Sequence, residues 1–180
     1  MLSGKIVVHV RRRPCLATIR FDMRVRLGTL GLTQRMPYTE SANRMVLIVM
    51  LEDDRERIER FTAILARRGE NARLLVTRTA HEFIAAYLAL THSPHLIALD
   101  HDLFTDSPSE PDPGDGRDVA AFLAAQTPVC PVLIHTTNAP AGDSMLFTLR
   151  EHGWTADRIA PLGHDWIEAY WYPYAMRMLK

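Results

Sequence analysis

From Met45 onward, short apolar runs alternate with stretches whose apolar residues recur at helical spacing, and few architectures accommodate that alternation. Met45-Val-Leu-Ile-Val-Met-Leu51 is apolar throughout, the pattern of a strand buried on both faces. Residues 55–68 then place Ile58, Phe61, Ile64 and Leu65 on one helical face, with Gly69 as the expected cap. Leu74-Leu75-Val76 reads as a second strand. Thr79 and Glu82 have capping-box spacing for a helix that turns Phe83, Ile84, Tyr87 and Leu88 inward. His95-Leu-Ile-Ala-Leu99 is a third strand, followed by a polar loop over Thr105–Asp115 and a helix from Asp115 to about Gln126. Pro131-Val-Leu-Ile134 is a fourth strand, and a helix over 140–151 stops at Gly153. Arg158-Ile-Ala160 is a weak fifth strand. A closing helix over 166–178 carries Ile167, Tyr170 and Trp171 on its packed side, and Met145, Phe147 and Cys130 read as core. Strands alternating with helices imply right-handed βαβ units. The expected fold is therefore α/β and flavodoxin-like: five parallel strands in order 2-1-3-4-5, with helices on both faces.

Composition divides the chain near Met45. Residues 1–44 hold nine Lys/Arg and two Asp/Glu, whereas residues 45–180 hold twelve and nineteen, so a net charge of zero averages +7 and −7. The first segment shows no sustained period. It fits a basic arm for nucleic acid, an Arg-rich transit-type extension, or an over-called start before Met36 or Met45. The α/β domain is expected over 45–180. The longest apolar run has seven residues, against the ~20 that cross a bilayer, so no membrane contact is expected. Two cysteines, Cys15 and Cys130, exclude a disulfide framework and point to a reducing, cytoplasmic setting.

Ligands of open parallel sheets bind beyond the carboxyl ends of the strands. There this sequence places Glu52-Asp53-Asp54, Asp100-His101-Asp102 and His135-Thr136-Thr137-Asn138. Crowded carboxylates repel unless protons or a cation neutralise them, and hard oxygen ligands suit Mg²⁺. Asp53, Asp54 and Asp100 are the expected metal ligands; the competing reading of Asp53-Asp54 is a pair of acids at a helix N-terminus. His101, flanked by aspartates, suits proton transfer, with Asp102 to fix its tautomer, or else is an exposed loop residue. His135 is the second candidate acid or base, or a satisfied buried histidine. Thr136 and Asn138 open a helix and offer donors to an anion.

Leu51-Glu-Asp-Asp-Arg55 and the aspartate after the third strand resemble receiver domains of two-component response regulators. Such receivers also use a lysine after the fifth strand. The only lysines here are Lys5 and Lys180, so an aspartyl-phosphate switch is not expected. Together with Leu51-Glu-Asp-Asp-Arg55, the motifs Leu99-Asp-His-Asp-Leu103, Gly116-Arg-Asp-Val119 and Ile134-His-Thr-Thr-Asn138, followed by Gly142 and Met145, are more similar to the cyclic-phosphate processing receiver-like domains. That resemblance implies metal-assisted hydrolysis of a cyclic phosphate, on an RNA end or a nucleotide-derived molecule. His101, His135 and Asp102 would be catalytic, Thr136 and Asn138 would bind substrate, and Mg²⁺ would sit on the aspartates. The alternative is a non-enzymatic receiver-like module that binds a partner protein or a nucleotide. A phosphatase with Asp100 as nucleophile and Asp102 as acid is the third reading.

Overall fold

Crossover helices join the successive apolar runs into one parallel sheet. Strand β2 (Val46–Leu51) lies parallel to both β3 (Ala72–Thr77) and β4 (Leu96–Leu99), β4 to β5 (Val132–Ile134), and β5 to β6 (Ala156–Arg158). These five strands have the expected order. The structure, a computed structural model, describes residues 6–9, 45–67 and 71–180. Helices α1 (Arg55–Arg67), α2 (Ala80–Leu88), α3 (Gly116–Ala124), α4 (Ala139–Glu151) and α5 (Tyr172–Met178) make the connections and close the chain.

Strand parity sorts the core into two layers, because successive side chains point to opposite faces. Ile48, Met50, Ala98 and Leu133 face α1 and the closing segment, joining Phe61, Leu65, Trp166 and Trp171. Val49, Leu51, Leu99 and Ile134 face α2, α3 and α4, joining Phe83, Val119, Leu123 and Met145. Residues 48–51 are wholly buried, as a central parallel strand requires.

Four features depart from the sequence expectation. A strand β1 (Ile6–His9) runs antiparallel along β3 and makes a sixth, edge strand. The sequence reading assigns that short run no element, since four residues carry no period. Pairing it to β3 supplies partners for backbone groups that an edge leaves open. The rest of residues 1–44, and Gly69, lie outside the described residues. Strand β6 begins two residues early, because its register is set by Val132↔Ala156 pairing and not by hydrophobicity. Asp157 interrupts the apolar signal there, and its carboxylate accepts from the Tyr174 hydroxyl. The closing helix is not uniform: Ile167–Trp171 forms a π turn, with the Tyr172 N–H donating to Ile167 O, before Pro173 in α5. Proline lacks the N–H of a regular helical ladder, and a widened turn accommodates that break. Finally, Leu88, Phe147 and Tyr170 are exposed. Phe147 lies two positions from buried Met145 on α4, about 200° round the helix, and so faces outward. Cys130 is partly covered, and burial pushes its thiol up to about 12. Among the described residues no helix is long and apolar enough to cross a membrane.

Candidate functional site

The register that builds the sheet also aligns the site. Leu51 pairs with Leu99, and Leu99 with Ile134. The ladder then continues one step, as Asp100 N donates to Leu51 O and His135 N donates to Leu99 O. Glu52, Asp100 and His135 therefore stand side by side, each one residue beyond a buried strand. Since Leu51, Leu99 and Ile134 face α2–α4, the next residue of each strand points toward α1.

On that α1 side the carboxylates are crowded and buried. Glu52, Asp53 and Asp100 have relative exposures of 0%, 7% and 3%, and a ligand oxygen from each lies within 4.8 Å of the others. Arg57, in the first turn of α1, bridges Glu52 and Asp100. Its guanidinium reaches Asp100 Oδ2 at 2.8 Å and Glu52 Oε1 at 3.2 Å. Burial opposes the charge on Arg57, but Glu52 and Asp100 outweigh it and hold its pKa above the ordinary value. Burial also pushes the Asp100 carboxyl up to about 6, with Glu52 raising it further and His135 and Arg57 acting in the opposite direction. Asp53 is likewise raised by burial, partly offset by the Phe104 N–H that donates to its Oδ2 at 2.8 Å.

A hard divalent cation fits this cluster. One guanidinium pairs with two of the three carboxyl groups, and two buried oxygens, Glu52 Oε2 and Asp53 Oδ1, have no hydrogen-bond partner among the described residues. All the candidate ligand atoms are oxygens, the preference of such ions. Glu52 takes the place that the sequence reading gives to Asp54. Asp54 is exposed, and its Oδ1 accepts from Arg57 N at 2.9 Å at the start of α1. It matches the competing expectation of an acid at a helix N-terminus.

His135 is wholly buried behind Glu52 and does not open into the crevice. Its ring stacks on Trp166 at 5.9 Å and meets Phe61 and Trp171 edge-on. Nε2 lies 3.3 Å from Glu52 Oε2 without hydrogen-bond alignment, and neither ring nitrogen has a hydrogen-bond partner among the described residues. Thr136 is also buried, and its hydroxyl accepts from the Asn138 N–H at 3.1 Å.

On the other side, toward α3 and α4, the residues form a polar chain. His101 Nε2 lies 3.6 Å from Asp102 Oδ1, and Nδ1 lies 3.9 Å from Asp115 Oδ1. Asp102 Oδ1 also accepts from Asn138 Nδ2 at 3.2 Å, while Asn138 Oδ1 caps α4 by accepting from Ala141 N. Asp102 thus joins the ends of β4 and β5. Asp115 in turn caps α3 in a reciprocal box with Asp118. Gly116 makes this possible: a Cβ there would lie 2.4 Å from Asp100 O and 2.9 Å from His101 Cα, so α3 packs directly on the backbone that carries the histidine. The two sides meet where His101 N donates to Asp100 Oδ1 at 2.7 Å.

Several partners escape the sequence reading. Arg57 carries a readable signal, being a cation one helical turn after three acids. Asp106 carries none: it sits in the loop after β4, yet binds Arg55 and Arg78, which are 51 and 28 residues away.

Solved structures similar to this chain include receiver domains. The chain is similar to the non-phosphorylated HemR receiver domain from Leptospira biflexa, at 22% identity and TM-score 0.53, covering 74% of this chain and 93% of that one. It is similar to the phosphorylated cyanobacterial phytochrome response regulator RcpA, at 21% identity and TM-score 0.51, covering 76% and 90%. It is also similar to the Mn²⁺-bound form of response regulator Rcp1, at 19% identity and TM-score 0.51, covering 70% and 94%. No curated protein matches in sequence. Residues 47–151 match the family described as the cyclic-phosphate processing receiver domain, and they include the acidic cluster and the whole His101–Asp102–Asn138 chain. The chain belongs to the cyclic-phosphate processing receiver family.

Proposed function

We propose that the crevice opens a cyclic phosphate by hydrolysis, on a nucleotide-derived molecule or an RNA end. The observation that carries this reading is the contact between the two sides: a carboxylate cluster suited to a cation adjoins a buried histidine with a carboxylate near each ring nitrogen. In such a reaction a water oxygen attacks phosphorus, one ring P–O bond breaks, and the leaving oxygen takes up a proton. The product is an open phosphomonoester.

His101 is the group that holds and moves the proton. Asp102 and Asp115 each place a carboxylate oxygen near one of its two ring nitrogens, at 3.6 and 3.9 Å. Asp102 also fixes Asn138 at the mouth of α4, so the histidine and the amide keep a constant spacing. Glu52, Asp53 and Asp100 would hold Mg²⁺, which would offset charge on the phosphate oxygens. Arg57 ties Glu52 and Asp100 together from the α1 side. His135 acts from behind Glu52 as a positioning residue, since its burial keeps it from substrate. Asp54 belongs to the helix cap, and Thr136 orients Asn138 rather than touching the phosphate. We place this activity in the cytoplasm, in keeping with the cysteine usage of the chain.

The test is product formation from a panel of 2′,3′- and 1″,2″-cyclic phosphates, followed by ³¹P NMR on the full chain with Mg²⁺ and with chelator. Metal-dependent ring opening supports the reading. No turnover on any ring, with no cation binding by calorimetry, favours the alternative of a module that binds a partner protein or nucleotide. The internal neutralisation of Glu52 and Asp100 by Arg57 is the observation that supports that alternative.

A further inference from the structure

A second ionic cluster lies at the rim of the crevice, outside the carboxylate group and the His101 chain. The Asp106 carboxylate receives three charged hydrogen bonds: Arg78 Nη1 to Oδ2 at 2.7 Å, Arg78 Nη2 to Oδ1 at 3.0 Å, and Arg55 Nη2 to Oδ2 at 2.8 Å. Both guanidiniums hold its pKa well below the usual carboxylate range. Arg78 is braced from below, because its Nε donates to Asp53 O at 3.2 Å. The seat thus abuts the backbone of a proposed metal ligand. A fork bound bidentately to one oxyanion, with a second guanidinium on the same oxygen, is the geometry by which arginines recognise phosphate.

The occupant is tethered to a loop, not built into an element. Residues 104–115 carry Pro108, Pro111 and Pro113 and are fixed to the domain at a few points. Phe104 N donates to Asp53 Oδ2, Asp106 fills the arginine pair, and Ala80 N donates to Pro113 O. Between the first and last of these, Asp106 is the strap's charged anchor. Its side chain is 44% exposed, so an anion from solvent can reach the same guanidiniums.

We propose that Arg55 and Arg78 form an anion seat for a second phosphate group of the substrate, and that Asp106 occupies it as an internal competitor until that phosphate displaces it. The seat itself is independent of the reaction, whereas its assignment to the substrate rests on the cyclic-phosphate reading. The preferred substrate then carries a cyclic phosphate and a further phosphate on one molecule, and the strap over 104–115 is released when it binds.

Pyrophosphate titrated calorimetrically into the full chain, in chelator, tests the seat with the carboxylate cluster out of play. Asp106→Asn and Asp106→Ala are expected to bind it at least about tenfold more tightly than the parent, as removal of a charged competitor implies. Adding Arg78→Gln to either variant is expected to abolish that gain. Equal affinity in the parent and both Asp106 variants overturns the proposal, as does a gain that survives Arg78→Gln. In turnover, the parent should show a lower KM for a nucleoside 2′,3′-cyclic phosphate bearing a 5′-phosphate than for one without it. Arg78→Gln should erase that preference, and a preference that persists overturns the assignment. If no ring is opened while the pyrophosphate result holds, the reaction fails and the seat stands.

Discussion

The two sides of the crevice solve opposite electrostatic problems with residues adjacent in sequence. Toward α1, Glu52 and Asp100 are buried and neutralised inside the protein by Arg57. Toward α3 and α4, Asp102 and Asp115 keep 45% and 40% of their side-chain surface and share His101 between them. Asp100 and His101 are neighbours, and strand parity alone sends them to different sides. The difference teaches where stability and chemistry are separable. The carboxylates Glu52 and Asp100 are costly to disturb because they are buried, while Asp102 and Asp115 tolerate change because they are half exposed.

The largest expected effect is on the α1 side. Arg57→Ala leaves three crowded carboxyls without their internal cation. Because the guanidinium is 25% exposed, the loss is expected near the lower end of values for a broken buried pair, about 3–4 kcal/mol at pH 7. Urea denaturation with and without Mg²⁺ checks this, and the deficit should shrink when the cation is present. An unchanged midpoint would mean that Arg57 is not the neutralising group.

Proton linkage gives the next effect. The folded pKa of Asp100, about 6, lies above its ordinary value of 3.8, so the folded state binds the proton more tightly. Stability should therefore be greatest below about pH 4 as far as this group is concerned, and fall as pH rises through about 6. A shift of that size corresponds to at most roughly 3 kcal/mol. In Asp100→Asn the slope across this window should flatten. Cation affinity should move the other way, weakening as pH drops below about 6, since proton and metal compete for one carboxylate.

Gly116→Ala should cost about 1–3 kcal/mol, because its methyl would press on Asp100 O and His101 Cα and push α3 off the strand end. Thermal unfolding measures the cost, and any turnover should fall with it as His101 shifts. The smallest stability effect belongs to Asp102→Ala, below about 1 kcal/mol for a half-exposed group. Its signature is kinetic: turnover should drop about a hundredfold as His101 and Asn138 lose their common partner.

The fold was legible because burial on both faces leaves a sequence no choice: Ile48, Val49, Met50 and Leu51 read as a central strand and are one. Most of the site was legible for the same reason, since polar residues directly after such runs must lie at the carboxyl edge. Parity was the signal left unused. Glu52 follows Leu51 as Asp100 follows Leu99 and His135 follows Ile134, which groups it with them and leaves Asp54 to the helix. Burial of His135 follows from that same face, where Phe61, Trp166 and Trp171 close over it. What periodicity does not carry is long-range pairing of loop residues. The Asp106 clamp on Arg55 and Arg78 belongs to this class, and so does the π turn, whose only trace in sequence is Pro173.

The division of labour is tested most directly by measuring Mg²⁺ affinity and cyclic-phosphate turnover together in His101→Ala and Asp100→Asn. The account predicts that His101→Ala binds Mg²⁺ as the parent does while its turnover falls at least about a hundredfold, and that Asp100→Asn loses both. Parental turnover in His101→Ala, or loss of its Mg²⁺ binding, would contradict it.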